Sequence, residues 1–572
     1  MKRSAWALSA LVVLLAVVAF LFLRPGREAG PRTWYADYLP PSTLATVSLR
    51  DLNGLTATFP ASPLGRFLSP ATMGRILAGL GSAPETIRGY EKLHDAVARV
   101  MTNPAFRAIF GDDAVIAMLP PDPDLLRQEP EQELNRCLVA FATSSSSKTM
   151  ERLARLIMGN KVTRESVGGK ELTRIRLGSG DTVYAWSRGR ALLVARSPEP
   201  LLACIRVRDG QAPTLQQETS FAAARAFWRS EQQGRPLLAS FVSVPRLRAL
   251  LGGLPDGPGR DLEPWFHGMD YFSSLVRRGK GEVRVISRSG YRFGALDTRV
   301  RKILAATSKN RALHLVSNDI LSYCWTSSLD ETMLRQMLLA ADSTRYRQLD
   351  LRTQQELGVP LARVLAAFGP QYGIILNRII ESGLFPVPQL TFFVQVRDRQ
   401  TARTVLDALR RDLARRGTAP EETEVVAGTT IHSWPVLPGE ATRPAVALTG
   451  EMLYIANGRP ILRAILANSR SPEALAPAVA ETMGPEMAAR FVHADYSALF
   501  VRPARLAGQV RGLAGWLARL VAASNNISLE PLNREVLQLL RSVAMVAAAT
   551  DLEKNSASSE VVIRAMSEES GQ

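Results

Sequence analysis

Gly189–Ile205, GRALLVARSPEPLLACI, is the stretch on which the reading of the fold turns. By period it is a short apolar strand (Ala191–Ala195), a polar turn holding Pro198, and the start of a helix at Glu199. The same design returns as GEMLYIANGRPILRAIL at Gly450–Leu466. The two align without a gap, and Gly, Leu, Ala, Leu and Ala are identical. Self-similarity of this kind is the usual mark of duplication.

Outward from these anchors, further segments pair in the same order. FGDDAVIAM (Phe110–Met118) faces FGPQYGIIL (Phe368–Leu376). The strand Cys137–Ala142 with the helix Lys148–Met158 faces Leu390–Val396 with the helix Thr401–Arg416. The Gly168-Gly169 hairpin of Lys161–Leu177 faces Thr423–Trp434, which has Gly428 at its turn. Ala312–Val316 is expected as a strand, and Ala489–Val501 takes the place of the strand Leu237–Val244. Strands that follow strands with helices interspersed favour antiparallel sheet over βαβ alternation. The expected fold class is therefore α+β: an N-terminal transmembrane helix, then two tandem, internally duplicated units of antiparallel sheet with helices packed on one side. The expected divisions are a tail (1–4), an anchor (5–23), a linker (24–33), a first unit (34–290), a connection (291–310), a second unit (311–566) and a flexible tail (567–572).

The anchor is Ala5–Leu23, nineteen residues with Ser9 as the sole polar member. As a helix it spans about 28 Å at about 1.5 Å per residue, close to the hydrocarbon thickness. RPGREAGPR follows without a small-x-small cleavage site, so an uncleaved signal anchor is expected. Lys2 and Arg3 flank one side and Arg24, Arg27 and Arg32 the other, so positive-inside counting is nearly tied. The short basic tail favours the amino terminus inside. That makes the chain a single-pass protein of the inner membrane with its body on the periplasmic side.

Of 572 residues, 46% are hydrophobic and 22% charged, the proportions of a globular protein. The net charge is +17, and only nine of the 70 basic residues are Lys. An excess of Arg favours planar, bidentate contact with carboxylate or phosphate. Cys137, Cys204 and Cys324 are odd in number and far apart, so no C-x-x-C metal or redox motif exists.

Motifs for chemistry are absent. The five histidines, His94, His267, His314, His432 and His493, are scattered, with no H-E-x-x-H. No G-x-S-x-G elbow occurs. Ser145-x-x-Lys148 lacks the companion motifs of a serine acylase and reads as loop and helix cap. Gly168-Gly169-Lys170 is followed by Glu171 rather than Ser or Thr, so a hairpin turn is expected instead of a phosphate loop. Asp112-Asp113 and Asp122-Pro-Asp124 read as solvated turn acids. No catalytic, metal or cofactor-binding residues are assigned, and no cofactor is expected.

Two basic amphipathic helices stand out as surfaces. Arg397–Arg416 carries Arg403, Arg410 and Arg411 around a seam of Val405, Leu406, Leu409 and Leu413. Arg502–Ala523 carries Arg505, Arg511 and Arg519 beside Leu506, Val510, Leu513 and Leu517. Such helices pack on a core with a solvated face, or lie on an anionic surface. These six arginines are the candidate membrane- or partner-facing residues. Nucleic acid is not an expected partner, because no zinc finger, recognition helix or aromatic RNA motif accompanies the charge.

The layout of an anchor, then LPPSTLATVSL (Leu39–Leu49), ASPLGRFL (Ala61–Leu68) and FGDDAVIAML (Phe110–Leu119) resembles a bacterial family of membrane-anchored envelope proteins known only as a domain of unknown function. Pro-Ser stands here where Ala-Asp is more usual in that family. The resemblance implies an envelope location and brings no catalytic residues. The expected function is a non-enzymatic binding or scaffold protein, held by its N-terminal helix, with anionic lipid or another envelope protein as partner. The alternatives are an apolar-ligand or lipid transport protein, and an enzyme whose site is assembled from distant residues.

Overall fold

The computed structural model describes residues 33–566, apart from 144–161, 177–181, 190, 232–234, 253–265, 280, 306, 383–384, 416–419, 437–438 and 526. The chain folds as two compact units. One reaches Asp297 and includes Lys554–Ser558; the other is formed by Thr298–Glu553 and the residues from Ser559 on.

In the first unit the strands are β1 (Ala45–Arg50), β2 (Asp113–Met118), β3 (Leu138–Thr143), β4 (Val162–Val167), β5 (Lys170–Arg176), β6 (Thr182–Arg188), β7 (Ala191–Ala195), β8 (Arg235–Ser243), β9 (Met269–Arg278) and β10 (Glu282–Tyr291). Antiparallel pairing sets their order as β4-β5-β6-β7-β3-β2-β1-β8-β9-β10. Successive side chains of a strand point to opposite faces. On β7, Ala191, Leu193 and Ala195 are buried, and Leu192 and Val194 are half-buried. The buried face packs on two helices, α2 (Pro198–Arg208) and α3 (Thr219–Ser230), with α1 (Pro84–Thr102) lying between β1 and β2 in the chain. Phe141, Leu193, Leu201, Phe221, Trp228 and Phe241 join in this core. Between β4 and β5, Gly168 and Gly169 take φ of +57° and +74°, the positive pair that a two-residue hairpin turn requires.

In the second unit the strands are β11 (Ser322–Thr326), β12 (Phe368–Ser382), β13 (Phe385–Val396), β14 (Glu422–Val426), β15 (Thr429–Ser433), β16 (Ala445–Leu448), β17 (Met452–Ala456), β18 (Ser497–Val501), β19 (Val543–Glu553) and β20 (Ser556–Ala565). Their order is β14-β15-β16-β17-β13-β12-β11-β18-β19-β20, the same sequence of neighbours as in the first unit. The registers correspond as well. Ile116 pairs with Val47 and Ala140, as Ile374 pairs with Cys324 and Phe392.

Helices of this unit pack on both sheet faces, because adjacent residues of one strand enter different cores. Phe393 and Tyr454 join Tyr323, Trp325 and Phe500 in a core that includes Ile461, Leu462 and Ile465 of α5 (Arg459–Leu466) and Met487 and Phe491 of α6 (Pro485–His493). Their neighbours Val394 and Leu453 point the other way, and join Trp434, Val446 and Leu406 of α4 (Arg399–Arg415). After β18 the chain runs through α7 (Pro503–Gln509), α8 (Arg511–Asn525) and α9 (Glu530–Arg541) into β19.

Several expectations are corrected. Among the described residues the expected fold class gives way to antiparallel sheet of 20 strands, ordered alike in the two units. Helices confined to one side fail for α4, whose Leu406 and Leu413 are needed to cover the face that Val394 and Leu453 present. The anchor segment Ala5–Leu23 lies outside the described residues, as do the tails. Among the described residues no helix is long and apolar enough to cross a membrane. A single-pass inner-membrane protein with a periplasmic body is therefore not supported, and that placement is set aside. Ala312–Val316 is no strand but holds a 3-10 turn at Leu313–Leu315. Ala489–Val501 divides into the end of α6 and the strand β18. The expected helix Lys148–Met158 lies outside the described residues.

Candidate functional site: a basic groove between two helices

Helices α8 and α9 are only four residues apart in the chain and meet where Asn533 faces Ala514, so they run back against each other. Pro531 sits in the first turn of α9, where its missing N–H costs nothing. The Asn533 side-chain amide donates to the Ala514 carbonyl at 3.0 Å and fixes where the two helices meet. Between them lies an open groove of about 640 Å³, within the range of roughly 300–1,000 Å³ usual for small-molecule sites.

One wall is Arg511, Ala514, Gly515 and Ala518, which recur at helical spacing along α8. The other is Asn533, Arg534, Leu537 and Arg541 of α9. Arg534, Leu537 and Arg541 stand three and four residues apart and so share a face. Since the chain reverses between the helices, Arg511 at the start of α8 and Arg541 at the end of α9 lie toward one end. Ala518, Leu529 and Glu530 lie toward the other. Arg534 Nε is 3.3 Å from the Glu535 carboxylate. Arg511 and Arg541 are exposed, and neither has an acidic partner among the described residues. The groove therefore has a cationic end and a nearly neutral, apolar floor.

The six arginines singled out from the sequence are not brought into one site. Arg403, Arg410 and Arg411 lie on α4, Arg505 on α7, and Arg511 and Arg519 on α8. Only Arg511 lines the groove. The side chain of Arg519 lies outside the described residues. Arg410 is already engaged, with Nε 2.8 Å from Glu421 and Nη1 3.2 Å from Asp407. Glu421 also meets His432 Nδ1 at 2.5 Å. On the same hairpin Glu422 takes Arg443 and Arg459, each at 2.7 Å, and Glu424 takes Arg463 by a two-point contact. These arginines hold an edge of the sheet together.

Sequence reasoning missed Arg534 and Arg541. The available signal was their seven-residue spacing within EPLNREVLQLLR, which sets two guanidiniums on one helix face two turns apart.

A second surface is apolar. On the sheet face that α4 covers in part, Cys324, Ile374, Phe392 and Ile455 form a row of paired positions across β11, β12, β13 and β17. All four are exposed, with Ile374 at 44% and Ile455 at 42%. In the first unit Ile116 is exposed to the same degree, and Leu93, Val97 and Val100 of α1 are also uncovered.

The other motif candidates have structural roles. Lys170 after the Gly-Gly turn binds Asp209 at 2.8 Å. Asp113 is buried beside the Trp34 indole, whose Nε1 lies 3.4 Å away, and Asp122 caps the helix Pro123–Gln128. Ser145 and Lys148 lie outside the described residues. Burial raises the Asp495 and Asp551 carboxyls, with Arg490 opposing the rise at Asp551 from 3.4 Å. Among the described residues no group of three His, Cys, Asp or Glu is placed to hold a metal ion. No family model, no curated protein and no solved structure matches the chain.

Proposed function

We propose that the protein acts by binding rather than by catalysis, and that its ligand is a small organic anion held between α8 and α9. The observation that carries this reading is the placement of Arg511 and Arg541. Two guanidiniums with no acidic partner among the described residues stand at one end of a groove of ligand size. A guanidinium offers a fork of donors matched to carboxylate or phosphate oxygens. Titration calorimetry against alkyl carboxylates, phosphates and sulfonates tests it. Saturable binding of one ligand per chain is expected, weakened at least tenfold in Arg511→Gln/Arg541→Gln. Equal binding by that variant would remove the reading.

The row Cys324, Ile374, Phe392 and Ile455 favours a second reading, an apolar ligand on the open sheet face. Exposed apolar patches commonly mark binding surfaces. A neutral apolar probe would then bind independently of Arg511 and Arg541, and Phe392→Ser would abolish its binding.

A further inference from the structure

We infer that the ligand of the α8/α9 groove is a single-headed amphiphile: one carboxylate- or phosphate-class anion with an alkyl or aryl tail. The inference rests on the reading of the groove as an anion site. The head lies at the Arg511–Arg541 end, and the tail runs over Ala514, Gly515 and Ala518 toward Leu529.

Three observations lead there. The cations are exposed, and a contact between exposed charges is worth little in water. A bare inorganic ion would therefore be held weakly, and affinity has to come from the apolar floor. Among the described residues the far end offers no second cation and carries Glu530, so a second anionic group on the ligand would meet a carboxylate. Finally, Gly515 leaves a free volume at mid-groove, where a Cβ would touch nothing within 4 Å. A tail can lie across that point, whereas a larger residue in the wall would fill it.

Titration of the full chain with inorganic phosphate and with butyl, hexyl and octyl phosphate, below micelle formation, provides the test. Burying one methylene is worth a factor of about four, and a partly open groove reduces that to about twofold. Kd should fall by this factor for each added carbon. Arg541→Gln should weaken every phosphate by a similar factor. Gly515→Leu should weaken octyl phosphate at least tenfold, leave inorganic phosphate unchanged and flatten the dependence on chain length. Leu also favours helix over Gly, so α8 should be retained, as a thermal midpoint at or above the parent's would show.

Inorganic phosphate binding as tightly as octyl phosphate would overturn the amphiphile and leave the anion site standing. Octanol binding as tightly as octyl phosphate would overturn the anion site itself. Absence of all binding would overturn both. Phosphatidylglycerol vesicles bound equally by the parent and by Gly515→Leu, with no binding of monomeric octyl phosphate, would assign the cations to a lipid surface and overturn the placement of the tail.

Discussion

Gly373→Ala tests the packing at the centre of the second unit. Gly373 on β12 pairs with Phe393 on β13. A Cβ added there would stand 2.3 Å from Phe393 Cζ and 2.4 Å from the carbonyl oxygen of Cys324. Neither neighbour can yield easily. The Cys324 oxygen is sheet backbone, and Phe393 is fully buried with its ring stacked on Tyr323 at 6.1 Å between centroids. Overpacking of this kind costs about 1–3 kcal/mol, against which Ala in a strand regains about 0.5–1 kcal/mol of backbone entropy. The net loss expected is about 1–2 kcal/mol.

For a unit of this size each kcal/mol moves the midpoint by about 2–4 °C, so a fall of about 2–8 °C is expected by differential scanning calorimetry. Phe393→Leu in the same background should recover part of the loss, since it removes the ring but not the carbonyl contact. The first unit supplies the counter-case. There Val115 holds the corresponding place opposite Phe141, so the strand order itself tolerates a β-branched residue. An unchanged midpoint in Gly373→Ala would mean that the second unit has the same tolerance, and the close crossing of β12 by Phe393 would be refuted.

Three further outcomes are expected. One thiol, that of Cys324, should react with a water-soluble disulfide reagent in native buffer, and Cys137 and Cys204 only after unfolding, because burial pushes both of their thiols up to about 12; a second fast thiol would contradict the core. Ala427 holds φ of +45° in the β14–β15 turn, where the first unit has Gly168, so Ala427→Gly should raise stability in urea by about 0.5–1 kcal/mol, and a loss would count against the turn. Burial alone would raise the Glu421 carboxyl, but Arg410 and His432 outweigh it and hold the group below its ordinary 4.5; its stabilisation is thus present above that value and lost as pH falls through the lower folded one, so Glu421→Gln should flatten the acid limb of stability against pH.

Much of the strand pattern could be read from local period. Ala191–Ala195 is bounded by Gly189 and Pro198, and its alternation leaves one choice of face, so the expected and observed strands coincide. The Gly168-Gly169 turn was legible because positive φ is cheap only for Gly. Ala312–Val316 misled because five apolar-rich residues suit a strand or a buried turn equally, and tertiary burial decided: Leu313 and Leu315 enter the core from a 3-10 turn. The second face of the sheet was hidden for a similar reason. Strands buried on both sides lose clean alternation, as in β16, where Ala445, Val446 and Ala447 are all buried. The groove was half legible. Arg511 stood out in its helix, but the wall opposite depends on how α9 packs, which no local pattern states.

The shared strand order separates what holds the fold from what distinguishes the units. Core-facing positions keep their size only in part: Phe141 corresponds to Phe393, Phe241 to Phe500 and Ala195 to Ala456, but Val115 to Gly373 and Ser48 to Trp325. On the opposite face the second unit gains apolar size at Phe392 and Leu499. In one row the first unit has Ser274, Ser240, Val47, Ile116, Ala140 and Val194, where the second has Ala548, Leu499, Cys324, Ile374, Phe392 and Ile455. Stability alone gives no reason to place Phe392 or Leu499 on that face, since Ala140 and Ser240 serve the same strands. Residues that the fold does not require, yet that leave apolar area in water, are the ones whose presence calls for a ligand or partner. The enlarged apolar row and the α8/α9 groove belong to the second unit. Loss of ligand binding should therefore follow from substitutions in that unit's face and groove, and not from Ile116→Ser in the first. An equal loss from Ile116→Ser would assign the function to the strand order that both units share.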